Sequence, residues 1–392
     1  MKSRYIPWFA AILLFLFIPP YFMWGLLSNT LVRISLTIVL CFLFLRNKQP
    51  LSSKDGVLRT LFIVTLVYYI LIGLIHGQSN MNGVLARCTM FLYVAIPFAS
   101  SEFSKTVYDK FTSLYAVIIL LSLLSYIGAQ LGIMPSIGEI NVKEHNRFYT
   151  VYPLLVMDRG FDFLRFYGPF NEPGVVGTLG AVLLCVQKFN FKDWRTVVIL
   201  ISGIMSMSFF FFGLIAGYGL VYLLFIRKNY LLTILLTALF SVFYCQTKDN
   251  PMIYSTLWER FEWDETENKF KGDNRKNENV DVFFDNLKTK PAFWFGSPQS
   301  EVERFWKEVE ETSSYKVIIL NSGAVFLILY LLFFILLARN HKTDTKAFWL
   351  FVLVLIANTY QRPDVYSVLM IFIYSYFARF ELTSIISKKE QK

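Results

Sequence analysis

Residues 199–226 read ILISGIMSMSFFFFGLIAGYGLVYLLFI and contain no charged side chain. A membrane-spanning helix needs about 20 consecutive apolar residues, so this stretch can hold one long span or two short ones. The segment from Ser206 to Gly213 contains serines and a glycine that can accommodate a turn. We therefore predict two short spans that meet there.

The whole chain has the composition of a membrane protein. Of its 392 residues, 55% are hydrophobic and 17% are charged, whereas soluble domains carry about 25% charged residues. A soluble core of this size could not bury so much apolar surface, so the excess must face lipid. The composition therefore predicts an all-α integral membrane fold.

Apolar stretches of suitable length predict about twelve transmembrane helices. The first is a retained helix rather than a cleaved signal peptide, because no small-residue cleavage site follows it. The predicted spans are 7–27, 30–45, 57–76, 84–99, 111–132, 173–188, 195–208, 211–226, 230–246, 316–338, 347–361 and 364–380.

Basic residues in the connecting loops determine the predicted orientation, because Lys and Arg are retained on the cytoplasmic side. With the N-terminus inside, every even-numbered connection carries at least two cations. Both termini are then cytoplasmic. The net charge of +10 is explained by this topology, and binding to nucleic acid loses its main support.

Two long segments, 133–172 and 247–315, fall on the outer side. The second is rich in aromatic residues and has more acidic than basic ones, which is unlike a disordered linker. We predict a membrane domain over 1–246, a helical outer cap over 247–315, and the last three spans with a cytoplasmic tail over 316–392. A cavity is expected to open outward between the cap and the mouth of the sixth span.

Outward arginines are the first candidates for chemistry, because a guanidinium stays charged and can hold diphosphate oxygens with paired hydrogen bonds. Arg87 lies inside an apolar run and Arg362 directly follows one, and charges at such depths are costly unless they face a cavity or a partner. The alternative for each is a snorkelling side chain or an ion pair. The outward set is Arg33, Arg87, Arg147, Arg159, Arg165, Arg260, Arg275, Arg304 and Arg362.

The densest segment is RGFDFLRFYGPFNEPGVVGTLG, residues 159–180. It reads as a turn that enters a helix, since Pro173 suits a first helical turn. Asn171 is then a candidate helix cap, and Glu172 lies near the positive helix end. The functional alternative is that Glu172 accepts a proton or a hydrogen bond from a sugar hydroxyl beside a cationic pocket built by Arg159 and Arg165.

Four segments in this order resemble the Wzy-type polymerase family of O-antigen and capsular polysaccharides. They are RFYGPFNEPG, then SGIMSMSFFFFG, then KGDNRKNENVDVFFDNL followed by WFGSP, and finally NSGAVFLILYLLF, within residues 159–365. The family pattern in each outer loop is an Arg, ten intervening residues and a Gly. Here it is matched only with an extra position, since eleven residues separate Arg165 from Gly177 and Arg260 from Gly272.

The resemblance implies a GT-C-like, inverting, metal-independent glycosyltransferase of the bacterial inner membrane. Its substrate would be an undecaprenyl-diphosphate-linked oligosaccharide at the outer face, and a protein that regulates chain length would be a partner. No cofactor is implied, and no metal-ligand cluster or phosphate-binding motif occurs. The implied catalytic residues are Glu172, Arg165 and Arg275, and the implied substrate-binding residues are Arg159, Arg260, Asn171, Arg87 and Arg362.

Three other functions stay open at this point. An O-antigen ligase would use the same donor, but such ligases resemble one another in a histidine of the large outer loop, and 247–315 contains none. His145, in the smaller loop, could substitute for it. A lipid-glycan flippase or other transporter would show an internal repeat, which we do not find. An accessory membrane protein would tolerate replacement of Arg165 or Glu172.

Overall fold

Helices dominate the structure, a computed structural model that describes most of the chain. The described residues are 3–49, 52–77, 81–142, 147–159, 165–228, 230–266, 269–271, 278–308 and 314–382. The α-helices are α1 Ile6–Leu16, α2 Trp24–Leu27, α3 Thr30–Arg46, α4 Ser53–Ile75, α5 Met81–Thr89, α6 Ser101–Gln130, α7 Pro173–Val186, α8 Trp194–Met205, α9 Phe209–Val221, α10 Tyr230–Thr247, α11 Pro251–Ile253, α12 Glu278–Lys288, α13 Ala292–Phe295, α14 Gln299–Glu308, α15 Tyr315–His341, α16 Thr345–Gln361 and α17 Val368–Tyr376. The strands are β1 Gly138–Val142, β2 Arg147–Tyr152, β3 Leu155–Asp158, β4 Trp263–Asp264 and β5 Lys269–Phe270.

The chain forms two compact units. The first comprises Met1–Phe17, Trp24–Phe111 and Asn274–Lys392. The second comprises Ile18–Met23 and Thr112–Asp273. The boundary at Asp273 falls inside the segment 247–315, which the sequence predicts as one outer cap, so the two parts of that segment belong to different units.

Within the described residues, four helices are long and apolar enough to cross a membrane: Ser53–Ile75, Ser101–Gln130, Phe209–Ile226 and Tyr315–His341. A fifth is added if the bent pair Ile6–Leu16 and Tyr21–Leu27 is one span. Each of the twelve predicted stretches contains helix, but the remaining ones are shorter, interrupted or less apolar. The described residues are thus compatible with a helical membrane protein and contain four or five candidate spans by length and composition.

The first predicted span, 7–27, is bent rather than straight. α1 ends at Leu16, and the helical segment that starts at Tyr21 is turned from it by 92°. Pro19 and Pro20 explain the bend, because proline lacks a backbone N–H and disfavours a helical conformation in the residue before it.

Tyr21, which follows this bend, is fixed by partners in the second unit, to which it belongs. Its backbone N–H donates to the carbonyl oxygen of Pro169 at 2.8 Å. Its hydroxyl donates to the carbonyl oxygen of Tyr152 at 3.2 Å. Tyr21, near the N-terminus, therefore contacts the 133–172 segment at Tyr152 and Pro169.

The 133–172 segment contains a three-stranded antiparallel sheet in the order β1-β2-β3, which the all-α prediction does not include. Tyr149 of β2 lies opposite Asp158 of β3 in the register, and all four residues of β3 are buried. The hydroxyl of Ser122 in α6 donates to the carbonyl oxygen of Leu154, between β2 and β3, at 2.6 Å. The segment thus folds back against α6.

In the first unit, α12, α13 and α14 pack against the start of α15. Their shared core contains Phe283, Phe284, Leu287, Phe305 and Leu320. Helical packing of this kind was expected for the aromatic-rich segment. Burial of large aromatic rings supplies most of the stabilisation in such a small core.

A glycine bends α15 where α13 approaches it. Gly323 has φ +79° and ψ 160°, outside the helical region. A Cβ atom there would overlap the backbone carbonyl of Trp294, and the N–H of Ser297 donates to the carbonyl oxygen of Leu320 at 2.8 Å. The contact between the WFGSP and NSG motifs therefore requires a residue without a side chain at position 323.

At the start of helix α8, one carboxylate both caps the helix and forms an ion pair. Asp193 is the N-cap residue, and its carboxylate accepts from the backbone N–H of Arg195 at 3.0 Å and from Nε of the same residue at 2.9 Å. Arg195 also donates from Nη1 to the hydroxyl of Ser113 at 2.9 Å. The hydrogen bonds from Arg195 lower the pKa of Asp193 below its usual value.

Replacing Asp193 by alanine is expected to lower the free energy of unfolding by about 1–2 kcal/mol at pH 7, because a cap and a charge-assisted bond are lost. Because folding lowers the pKa of Asp193, its ionised carboxylate stabilises the folded protein above the unfolded-state pKa of about 4. This stabilisation is lost as the pH falls through the lower, folded-state pKa. The difference between wild type and Asp193→Ala should therefore shrink below pH ~4. Thermal unfolding in detergent across this range measures it, and a constant difference would refute the assignment.

Candidate functional site

The candidate site is built around the break between α8 and α9. α8 ends at Met205 and α9 begins at Phe209, so the turn lies at the start of the region that the sequence predicts for it. Met207 has φ +47°, a left-handed conformation that ends the helix. The last carbonyl groups of α8 lack helical partners and carry the negative end of the helix dipole, so they attract cations.

Two arginines bind consecutive carbonyl groups at this break. Nε of Arg165 donates to the carbonyl oxygen of Ser206 at 3.3 Å. Nη1 of Arg260 approaches the carbonyl oxygen of Met207 at 3.5 Å. Arg165 and Arg260, which are far apart in the sequence, are thus brought to one turn, and both side chains are partly buried.

Helix α7 packs directly against the same turn. A Cβ atom on Gly177 would overlap the side chain of Ser208 and lie 2.9 Å from Oγ of Ser206. The N–H of Phe166 donates to the carbonyl oxygen of Met205 at 2.9 Å, which fixes the backbone next to Arg165. Gly177, with eleven residues between it and Arg165, therefore allows α7 to approach the turn that holds this arginine.

Glu172, rather than Asn171, is the N-cap residue of α7, and its side chain makes no capping hydrogen bond. Its carboxylate lies 3.9 Å from Nη1 of Arg147. Asn171 contributes its backbone carbonyl, which accepts from the hydroxyl of Tyr149 at 3.0 Å. The carboxylate of Glu172 is therefore oriented towards a cation instead of its own helix end.

The buried face of the sheet continues the site. Arg147 and Tyr149 lie two residues apart on β2 and so share a face, and Asp158 faces Tyr149 from β3. Burial raises the pKa of Tyr149, while the hydrogen bond and charge of Arg147 oppose the rise and Asp158 and Glu172 reinforce it. The Tyr149 phenol therefore keeps its proton near neutral pH and acts as a donor.

Tyr167 connects this face with the arginines at the turn. Burial raises its pKa, the charge of Asp158 raises it further, and the charges of Arg165 and Arg147 oppose the shift. In the second unit, Tyr167 therefore lies within electrostatic reach of Asp158, Arg147 and Arg165.

Arg159 lies on the other face of the sheet. Its Nε donates to Oγ1 of Thr150 at 3.0 Å, and its Nη2 pairs with the carboxylate of Glu139. Both partners of this ion pair are largely exposed, with side chains 50% and 62% accessible. Alternation along a strand turns neighbouring side chains to opposite faces, so Arg159 points away from the face that carries Tyr149 and Asp158. Among the described residues, Arg159 and Arg165 therefore bind different partners and do not share the predicted pocket.

Two further predicted residues belong to the first unit, and a third lies outside the described residues. Arg87 belongs to the first unit, where its guanidinium carbon lies 4.9 Å from the ring centre of Tyr69. Arg362 also belongs to the first unit and follows α16, with its N–H bonded to the carbonyl oxygen of Asn358 at 2.9 Å. Arg275 lies outside the described residues.

From the sequence, Arg147 is a candidate only as one of the outward arginines, and no motif singles out Tyr149, Asp158 or Tyr167. A usable signal is present in RFYTVY, residues 147–152, which is rich in the aromatic and β-branched residues typical of strands. As a strand it places Arg147, Tyr149 and Val151 on one face. Asp158 and Tyr167 give no comparable signal, since their burial depends on the fold-back against α6.

Among the described residues, no group of three or more His, Cys, Asp or Glu side chains could hold a metal ion. Comparisons with family models, with curated proteins and with solved structures find no match to the chain. The geometry of the site and the resemblance of the motifs are therefore the basis for a functional proposal.

Proposed function

We propose that the protein is a membrane glycosyltransferase that polymerises O-antigen or capsular repeat units. The growing glycan on undecaprenyl diphosphate would be the donor, and one lipid-linked repeat unit the acceptor. The proposal includes an inner-membrane protein with twelve spans, both termini in the cytoplasm, and a site on the outer face. It also includes a separate protein that regulates chain length as a partner.

The observation that carries this proposal is the convergence of Arg165 and Arg260 on consecutive carbonyl oxygens at the α8–α9 break. Guanidinium groups that are fixed before the substrate arrives can stabilise the charge that develops on a leaving diphosphate at little cost of reorganisation. Their planar forks also match phosphate oxygens in pairs. A lipid carrier fits the apolar helices, because its hydrocarbon tail can stay in the bilayer.

In the proposed step, a hydroxyl oxygen of the acceptor attacks the anomeric carbon of the donor sugar. The bond from this carbon to the diphosphate oxygen breaks, and the electron pair leaves with the lipid diphosphate. The hydroxyl proton passes to a carboxylate, for which Glu172 is the candidate. Attack opposite the leaving group inverts the configuration at the anomeric carbon.

The surroundings of Glu172 support this role. Its carboxylate is only partly buried and lies 3.9 Å from Arg147, so it can meet a hydroxyl that enters from outside the sheet. A carboxylate in this position can accept the proton of that hydroxyl as a general base. Tyr167 keeps its proton and is proposed to donate to a sugar or phosphate oxygen. The Tyr149 hydroxyl donates to the Asn171 carbonyl and fixes the backbone next to Glu172.

Deleting the gene tests the proposal, because each candidate function leaves a different lipid-linked glycan. A polymerase mutant is expected to accumulate single repeat units on the lipid at the outer face. The lipid fraction can be analysed by mass spectrometry after mild acid release. Full-length lipid-linked chains would instead indicate a ligase, and repeat units confined to the inner face would indicate a flippase; either result would refute the proposal.

A further inference from the structure

A polar groove lies between α12 and α14 in the first unit, apart from the residues assigned above. Its volume is about 460 Å³, which is within the range of about 300–1,000 Å³ for small-molecule sites. Two amides, two cations, one carboxylate, one aromatic ring and one aliphatic side chain line it. These are Asn279, Asn286, Lys290, Arg304, Glu301, Phe283 and Val282.

Helical spacing explains why these side chains share one groove. Asn279, Phe283 and Asn286 are separated by four and three residues, so they lie on one face of α12. Nζ of Lys290 bonds to the carboxylate of Glu301 at 2.9 Å, which joins the end of α12 to α14. The guanidinium of Arg304 lies 5.4 Å from the ring centre of Phe283.

The lining favours a ligand with many hydroxyl groups. The amide of Asn286 combines donors with an acceptor, and the carboxylate of Glu301 accepts, so this pair can match vicinal hydroxyls that donate and accept at once. A phosphate or other compact anion is disfavoured, because Glu301 lies among the cations and pairs with Lys290.

We infer that the α12–α14 groove binds a segment of oligosaccharide. The inference deepens the proposed function, on which it rests for the identity of the glycan as the polymer being made. The groove holds sugar residues through hydroxyl contacts and needs no diphosphate. Its role is to retain the glycan between additions, so it affects product length more than the rate of a single transfer.

The test is direct binding by the full-length protein in detergent, with immobilised bacterial O-antigen and capsular oligosaccharides that carry neither lipid nor phosphate as the probe. Wild type is expected to bind at least one of them. Asn286→Leu should weaken that binding about tenfold through the loss of one hydrogen-bonding amide, and Asn279→Leu similarly. In cells, both variants should give shorter polymers.

Asp285→Leu is the matched control, because Asp285 precedes Asn286 on the same helix, pairs with Lys288 and does not line the groove. It should bind like wild type. Equal glycan binding by wild type and all variants would overturn the inference. It would also be overturned if Asn279→Leu and Asn286→Leu lost a co-purifying protein but kept glycan binding, since the groove would then be a peptide site. If the gene deletion did not cause single repeat units to accumulate, but the groove variants still weakened glycan binding, only the proposed polymerisation would be refuted.

Discussion

Replacing Arg165 by alanine is expected to lower the rate of glycan polymerisation about a hundredfold or more, the loss typical of removing one preorganised donor from a developing negative charge. Arg165 is fixed by Ser206 through Nε, so the planar group is oriented before the donor binds. The measurement is the elongation rate of purified lipid-linked repeat units, with the product ladder resolved on a gel. Arg260→Ala should have a similar effect, since it acts at the adjacent carbonyl.

Arg165→Lys separates charge from geometry, because lysine keeps the positive charge and loses the fork of donors. We expect it to recover only about tenfold of the lost rate. Arg159→Ala is the matched control: its exposed ion pair contributes at most about 1 kcal/mol to stability, and its face of the sheet is opposite to Tyr149. Near-normal ladders from Arg165→Ala at normal protein levels would refute the role.

Replacing Gly323 by alanine is expected to have the largest effect on stability. At φ +79° the backbone is in a region that is essentially reserved for glycine, and the new Cβ would overlap the carbonyl of Trp294. Conformational strain of about 1–3 kcal/mol adds to the steric overlap, so we expect a loss of at least about 3 kcal/mol or failure to accumulate. The yield of folded protein and its melting temperature in detergent measure this loss.

The control is Gly56→Ala in α4, where no atom lies within 4 Å of the added Cβ. Alanine is favoured over glycine within a helix by about 1 kcal/mol, so this variant should be at least as stable as wild type. A Gly323→Ala protein that melts with wild type would show that α15 can straighten without losing its contact with α13.

The positions of the helices could be predicted from the sequence, because hydropathy reports local apolar length. The bend after α1 was missed although Pro19 and Pro20 are visible, since a hydropathy window averages over them. The sheet in 133–172 was missed because it is short and lies in a segment without a strong apolar period. The kink at Gly323 depends on α13, which is distant in the sequence, so local patterns could not indicate it.

Arg165 and Arg260 are site candidates from the sequence because a guanidinium stays charged and can hold phosphate oxygens with paired hydrogen bonds. Their meeting at Ser206 and Met207 could not be read from the sequence, because it depends on a turn 41 residues beyond Arg165 and 53 residues before Arg260. Arg159 shows the opposite case. It is near Arg165 in the sequence, yet the strand directs it to the exposed side with Glu139.

The partners of Tyr21 have a consequence for biosynthesis. Tyr152, which accepts the hydrogen bond from the Tyr21 hydroxyl, is translated 131 residues later. At roughly 5–20 residues per second, a ribosome needs on the order of ten seconds to supply it. During this interval Tyr21 has no Tyr152 carbonyl to bind. The segment that follows the first helix therefore reaches its final arrangement only after the strands have been synthesised.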